Sequence, residues 1–181
     1  MTYKSKFGFG CMRLPLTNSN DPTSVDQDLF NQMVDIYMEK GFNYFDTSYA
    51  YHNGMSEVAI RKAVVERYPR ESYQICDKMP TWALTSEEDN DKFVNEMLER
   101  LGIDYFDVFF VHNINTPWYK LAEEHKAFDY IKKMKEDLSL ALSEKSLTAL
   151  SAYYRTQEKR DPLIFESGSF RFQFGDEFPL R

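Results

Sequence analysis

The chain has 181 residues, of which 43% are apolar and 16% aromatic, enough for one folded domain with a sizeable core. Its formal charge of −7 disfavours binding to the phosphate backbone of nucleic acids. No apolar run reaches the roughly 18 residues of a membrane helix, and the first residues lack the apolar stretch of a signal peptide. These features predict a cytoplasmic protein that binds neither nucleic acid nor membrane.

The cysteine and histidine content argues against a metal centre. Cys11 and Cys76 lie in apolar, strand-like segments, as reduced core thiols do. His52, His112 and His125 are far apart and lack the spaced Cys or His cluster of a metal site. Two strand cysteines also cannot hold an iron–sulfur cluster, so no metal is predicted.

The first part of the chain alternates strand and helix patterns. A first strand is predicted in KFGFGCMRLP (residues 6–15) and a second in FNYFD (42–46). Between them, Ser24 and Gln27 have the spacing of a capping box, and the helix that they open is expected to end at Gly41. Its predicted inward stripe comprises Val25, Leu29, Met33, Ile36 and Tyr37.

The alternation continues through two further strands. A second helix is predicted over 56–68, followed by a strand in YQICDKMP. A third helix opens with Ser86 and Asp89 and ends at Gly102, and a fourth helix, over 118–137, follows the strand YFDVFFVH. The order βαβαβαβα implies parallel strands with right-handed crossovers, in either a doubly wound sheet or a (β/α) barrel.

Polar side chains recur at the predicted strand ends. Lys78 lies 32 residues after Asp46 (78 − 46), and His112 lies 34 residues after Lys78 (112 − 78). In a barrel these strand ends open onto the face that carries the active site. Each residue also has a plain structural explanation: aspartate caps turns, and a lone histidine is usually a hydrogen-bonded core residue. A lysine in a buried strand, however, requires a charged partner or a function.

Four chemically complementary groups would therefore meet at one rim. Asp46 supplies a carboxylate, Lys78 an ammonium, His112 an imidazole and Tyr51, in the turn after the second strand, a phenol. A phenol with its ordinary pKa of about 10 is a poor acid at neutral pH, and a nearby ammonium lowers that pKa. The combination is typical of a site that moves a proton.

The motifs FGFGCMRLP, YFDTSYAYHNGMSE, ICDKMP and YFDVFFVHN together resemble those of the aldo/keto reductases, over residues 6–137. The resemblance implies a (β/α) barrel, NADPH as cofactor and a catalytic tetrad of Asp46, Tyr51, Lys78 and His112. By that resemblance Tyr51 gives a proton to a substrate carbonyl as hydride passes from the nicotinamide. His112 orients the carbonyl, and Lys78, held by Asp46, tunes the tyrosine.

The resemblance also implies a cofactor-binding segment after the first strand. The backbone of Gly10, Cys11 and Met12, together with Asp46, would border the nicotinamide. The glycines do not form a dinucleotide-binding loop, because Arg13 stands where a third glycine is needed. Trp82 and Trp118 follow the third and fourth strands and would either border a substrate pocket or pack against helices.

Only four βα units precede residue 137, whereas a complete barrel has eight. The expectation is therefore a truncated (β/α) TIM barrel over 1–137 and a divergent tail over 138–181, with a helix and then a hairpin near Phe170. Because a half barrel exposes edge strands, it favours a homodimer or coverage by the tail.

The predicted function is the reduction of small aldehyde or ketone carbonyls with NADPH. An inactive remnant or a binding and assembly module that keeps the scaffold is the alternative. A Schiff-base enzyme acting through Lys78 is disfavoured, because a carboxylate partner keeps the lysine protonated. His52, in the turn HNG, is expected to be solvated.

Overall fold

The computed structural model describes residues 7–113, 115–141, 165–166 and 169–170. Its main sheet has four parallel strands in the order β1-β2-β3-β4, namely β1 Phe9–Gly10, β2 Tyr44–Asp46, β3 Gln74–Met79 and β4 Val108–Val111. Gly10 lies opposite Asp46, and Lys78 lies opposite Phe110. The predicted alternation and parallel sheet are therefore confirmed, and the carboxyl ends of the strands share one edge.

Helices follow each strand and cover one face of the sheet. They are α1 Gln27–Glu39, α2 Met55–Ile60, α3 Asp89–Leu101, α4 Thr116–Glu124 and α5 Ala127–Ala141. A π-helical turn, Arg61–Val65, continues α2. Two short antiparallel strands, β5 Phe165–Glu166 and β6 Ser169–Phe170, flank the Ser-Gly pair of the predicted hairpin, and the rest of the predicted tail after α5 lies outside the described residues.

The core lies between the sheet and helices α1 to α3. Its largest fully buried apolar side chains include Phe30, Phe45, Ile60, Ile75 and Met97. Burial of each such side chain contributes about 1.5–3 kcal/mol. This layer holds the strands in place, and the site is built at their carboxyl ends.

The face that the first helix packs against the core is rotated by about 100°, one residue, from the predicted face. Its N-cap is Asp26, whose carboxylate accepts from the Leu29 N–H at 3.0 Å, and not Ser24. The buried residues are Phe30, Val34 and Tyr37, whereas Leu29, Met33 and Ile36 are 44%, 38% and 56% exposed. The predicted and the buried residues both have helical spacing, but only the buried set brings aromatic rings against Phe9 and Phe45. The predicted stripe was therefore wrong at Leu29, Met33 and Ile36, whereas Tyr37 is buried and Val25, which precedes the helix, packs against the core.

Three further boundaries differ from the prediction. The first strand is only two residues long, because a 3-10 turn begins at Cys11. The third helix begins at Asp89 and not at Ser86, and the Asp89 carboxylate accepts from the backbone N–H groups of Thr85 and Ser86. The predicted fourth helix is two helices, because Lys126 has a positive φ of 54° and interrupts it. Gly102 ends α3 in the left-handed region, as predicted.

Candidate active site

The strand ends bring together the predicted polar residues. Asp46 closes β2, Lys78 is the penultimate residue of β3, and His112 follows β4 directly. The His112 N–H donates to the Met79 carbonyl at 3.1 Å, which continues the sheet hydrogen bonding past the end of β4. The three residues therefore occupy neighbouring positions along one edge.

Lys78 is the centre of the arrangement. Its Nζ lies 2.7 Å from Asp46 Oδ1 and 3.4 Å from the Tyr51 hydroxyl, and it also donates to the Thr47 carbonyl. An ammonium has three protons to donate, so these contacts use its full capacity. Burial acts to lower the pKa of Lys78, but the Asp46 carboxylate outweighs it and the pKa is raised. Lys78 is therefore a cation at neutral pH, which opposes a Schiff-base role.

Tyr51 reaches the site from a tight turn, Tyr51–Gly54. His52 and Asn53 both have positive φ, of 53° and 54°, which reverses the chain directly after the tyrosine. The Tyr51 ring lies edge-on to the His112 ring at 5.8 Å between centroids, and Lys78 Nζ lies 4.8 Å from the tyrosine ring centroid. The phenol, imidazole and ammonium therefore form one cluster.

His52 holds this turn and is not simply solvated as predicted. Its Nε2 accepts from the Leu14 N–H at 3.0 Å, and its Nδ1 lies 2.8 Å from the Pro22 carbonyl oxygen. Because a carbonyl only accepts, Nδ1 must carry the proton. One neutral tautomer satisfies both bonds and ties the segment after β1 to the turn that carries Tyr51.

His112 is positioned by a residue that the sequence reading missed. Its Nδ1 lies 2.7 Å from the hydroxyl of Ser48, a fully buried residue. Burial, followed by the charge of Lys78, lowers the pKa of His112 to about 4, so the ring is neutral at physiological pH. When the Ser48 hydroxyl donates to Nδ1, Nε2 carries the proton and is the donor of the ring.

Two tryptophans extend the site from His112. The Trp82 ring lies 5.0 Å from the His112 ring and 5.4 Å from the Trp118 ring, between centroids. The Trp82–Trp118 contact packs the turn after β3 against α4, so both roles left open for these tryptophans stay predictions.

The predicted cofactor segment lies beside Asp46. Gly10 is the register partner of Asp46, and an added Cβ at Gly10 would meet nothing within 4 Å. Cys11 is fully buried, and burial raises the pKa of its thiol, whereas Met12 is 61% exposed. Because its side chain is buried, Cys11 can border a ligand in the open space above Gly10 only through its backbone.

Within the described residues, no group of three His, Cys, Asp or Glu side chains is arranged to hold a metal ion. In the same part of the chain, every helix is too short or too polar to cross a membrane.

Known proteins share the sequence pattern and the fold. A family model described as the aldo/keto reductase family matches residues 6–162. A probable aldo-keto reductase 1 from Glycine max is 31% identical over 120 residues, which are 62% of this chain and 34% of that protein. The holo form of aldo-keto reductase AKR11C1 from Bacillus halodurans superposes with a TM-score of 0.55 and 25% identity, over 71% of this chain and 42% of that one. The chain thus covers less than half the length of either protein.

Proposed function

Because the chain belongs to the aldo/keto reductase family, we propose that its four βα units carry the reacting centre of a cytoplasmic, NADPH-dependent reductase of aldehyde and ketone carbonyls. The observation that carries the proposal is the cluster of the Tyr51 hydroxyl, the Lys78–Asp46 pair and the neutral His112. A proton donor, a cation and a neutral hydrogen-bond donor are what carbonyl reduction requires.

Each side chain has a distinct task in this proposal. A bound reduced nicotinamide would supply hydride to the carbonyl carbon. Tyr51 gives its phenolic proton to the carbonyl oxygen, and the Lys78 ammonium, 3.4 Å away, stabilises the phenolate that remains. His112 donates from Nε2 to the same oxygen and so orients the substrate, because its neutral ring keeps one proton and Ser48 occupies Nδ1.

The residues present fit the nicotinamide end of the cofactor. The open space above Gly10 adjoins Asp46, and the Tyr51–Lys78 pair lies across the same strand ends. Asp46 and the backbone of Gly10, Cys11 and Met12 are the groups that would hold the nicotinamide there.

The test begins with NADPH titration of the full chain, followed by nicotinamide fluorescence and melting temperature. We expect saturable binding and carbonyl-dependent oxidation of NADPH, and a loss of turnover on the order of 100-fold in Tyr51→Phe with unchanged cofactor affinity. Tyr49→Phe is the matched control, since its hydroxyl binds Glu96. Equal turnover in Tyr51→Phe and wild type would rule out the tyrosine as the proton donor.

A second candidate function, an assembly module, is favoured by the exposed apolar side chains of α1. Leu29, Met33 and Ile36 are all more than a third exposed, and β1 ends the four-stranded sheet on one side. Such surfaces favour pairing, and a second copy of the chain is the partner we propose. Sedimentation should then show a dimer that dissociates in Ile36→Lys, and a monomer at all concentrations would exclude this candidate.

A further inference from the structure

Two acidic side chains are buried together behind Lys78. Glu57, on α2, and Asp77, on β3, are both 0% exposed, and their carboxyl groups lie within hydrogen-bonding reach of each other. Because successive strand residues point to opposite faces, Asp77 is directed to the helix layer while Lys78 is directed to the site. Nothing in the proposed reaction uses this pair.

Each carboxyl group has one satisfied and one unsatisfied oxygen. Glu57 Oε2 accepts from Arg100 at 2.8 Å, and Asp77 Oδ1 accepts from the backbone N–H of Lys78 at 2.8 Å. The other two atoms, Glu57 Oε1 and Asp77 Oδ2, are buried without a hydrogen-bond donor among the described residues. Burying two bare carboxylate oxygens side by side is costly, whereas one proton between them would satisfy both.

The surrounding charges do not balance two ionised carboxylates. Arg100 is divided between Glu57 and Glu96, and it lies over the ring of Tyr49. Two cations, Arg100 and Lys78, therefore face four carboxyl groups. These are the side chains of Asp46, Glu57, Asp77 and Glu96. Desolvation raises the pKa of both Glu57 and Asp77, and the Asp77 carboxylate raises that of Glu57 further.

We propose that Glu57 and Asp77 share one proton, and that this hydrogen-bonded pair fixes β3 against α2 and α3 and thereby positions Lys78. The link to Lys78 is direct, because the Asp77 oxygen outside the pair accepts from the Lys78 N–H. The inference rests on the packing of the folded chain and does not depend on the proposed reductase activity.

The shared proton makes stability depend on pH in a defined direction. The folded pair keeps a proton that carboxyl groups of the unfolded chain release above about pH 4. The folded state therefore binds more protons, and its stability falls as pH rises toward the raised pKa values of the pair. One proton changes the unfolding equilibrium constant by up to about tenfold per pH unit.

The first experiment measures urea unfolding of the full chain against pH for wild type, Glu57→Gln and Glu99→Gln. Measurement above about pH 6.5 avoids the titration of histidine in the unfolded chain. Burial also raises the pKa of Asp107, but its contribution is common to all three proteins. Glu57→Gln should lose the slope due to the pair, and the exposed control Glu99→Gln should keep it. An unchanged slope in Glu57→Gln would overturn the proposal.

Two measurements on the wild type guard against a variant that fails to fold. At neutral pH the infrared spectrum should contain the carbonyl band of a protonated carboxylic acid, shifted in heavy water, and its absence would refute the shared proton. In a ¹H–¹⁵N spectrum the Lys78 amide should shift with pH as the pair loses its proton, and more than the amide of Phe110. Equal shifts at the two amides would refute the positioning of Lys78, because a carboxyl pair with a purely structural role would not affect the Lys78 amide selectively.

Discussion

Replacing Lys78 with Met tests whether the cation of the site is held there for stability or for chemistry. The matched control is Arg70→Met, because Arg70 forms an ion pair of the same length, 2.7 Å, with Asp107. The two pairs differ in the exposure of the carboxylate that remains once the cation is removed. The side chain of Asp46 is 33% exposed, whereas that of Asp107 is 9% exposed.

The expected magnitudes follow from that difference. In Lys78→Met, water can solvate Asp46, and the loss of the donor to the buried Thr47 carbonyl costs about 1–3 kcal/mol. That cost is offset because an ammonium no longer has to be desolvated, so the net change in the free energy of unfolding should be about 1 kcal/mol. Arg70→Met leaves a buried, unpaired carboxylate, which costs about 3–5 kcal/mol. It also removes a guanidinium 3.9 Å from the Tyr105 ring centroid.

Urea unfolding at pH 7, with equal m-values as the condition for comparison, measures both costs. Carbonyl-dependent NADPH oxidation measures the chemical role, and Lys78→Met should lose on the order of 100-fold in turnover. A destabilisation by Lys78→Met as large as that by Arg70→Met would refute the reasoning, because it would make the Lys78–Asp46 pair a structural ion pair.

Three further outcomes follow from the histidine contacts. Ser48→Ala removes the partner of His112 Nδ1 and should raise KM for the carbonyl up to about tenfold, the value of one hydrogen bond, while an unchanged KM would contradict the positioning role. His52→Ala removes the hydrogen bonds to Leu14 and Pro22 and should lower the free energy of unfolding, measured in urea, by about 1–2 kcal/mol. Hydrogen exchange at the Leu14 amide should become faster, and an unchanged exchange rate would contradict the hydrogen bond from Leu14 to His52. Because the pKa of His112 is lowered to about 4 in the folded chain, the unfolded state binds more protons at this residue between about pH 4 and 6.5, so the contribution of His112 to stability falls on acidification through this range, opposite in sign to that of the Glu57–Asp77 pair. On acidification the urea midpoint of His112→Gln should therefore rise relative to that of the wild type, and an identical pH dependence of the two midpoints would refute the assignment.

The residues at the predicted strand ends lie together in the structure because their positions in the sequence follow a simple repeat. Asp46, Lys78 and His112 recur at the spacing of one βα unit, and parallel strands present their carboxyl ends at one edge. Spacing along the sequence therefore carried enough information to place them side by side.

The orientation of α1 could not be obtained in the same way. Its sequence contains two apolar stripes with helical spacing, and periodicity alone does not distinguish them. The choice depends on tertiary contacts: the Tyr37 hydroxyl lies 2.9 Å from the carbonyl oxygens of both Phe7 and Tyr44. These partners come from two different segments, which a local pattern cannot combine.

The supporting contacts of the site were missed for a related reason. Ser48 lies 64 residues before His112, and Glu57 lies 20 residues before Asp77 (77 − 57). Serine and glutamate are common near turns and helix starts, so neither residue stands out in the sequence. One signal was available for Ser48, since it is two residues after Asp46 and so can share its face in an extended segment.

The two buried thiols give this chain an internal probe of its own opening. Cys11 and Cys76 are the only cysteines of the sequence, both are fully buried and unpaired, and burial raises the pKa of each. Thiol reagents react with thiolates, so labelling requires the protein to open first. Cys11 lies beside the short β1 edge and Cys76 in the interior strand β3. The ratio of their labelling rates thus compares fraying at the β1 edge with unfolding of the whole sheet, and no cysteine has to be introduced.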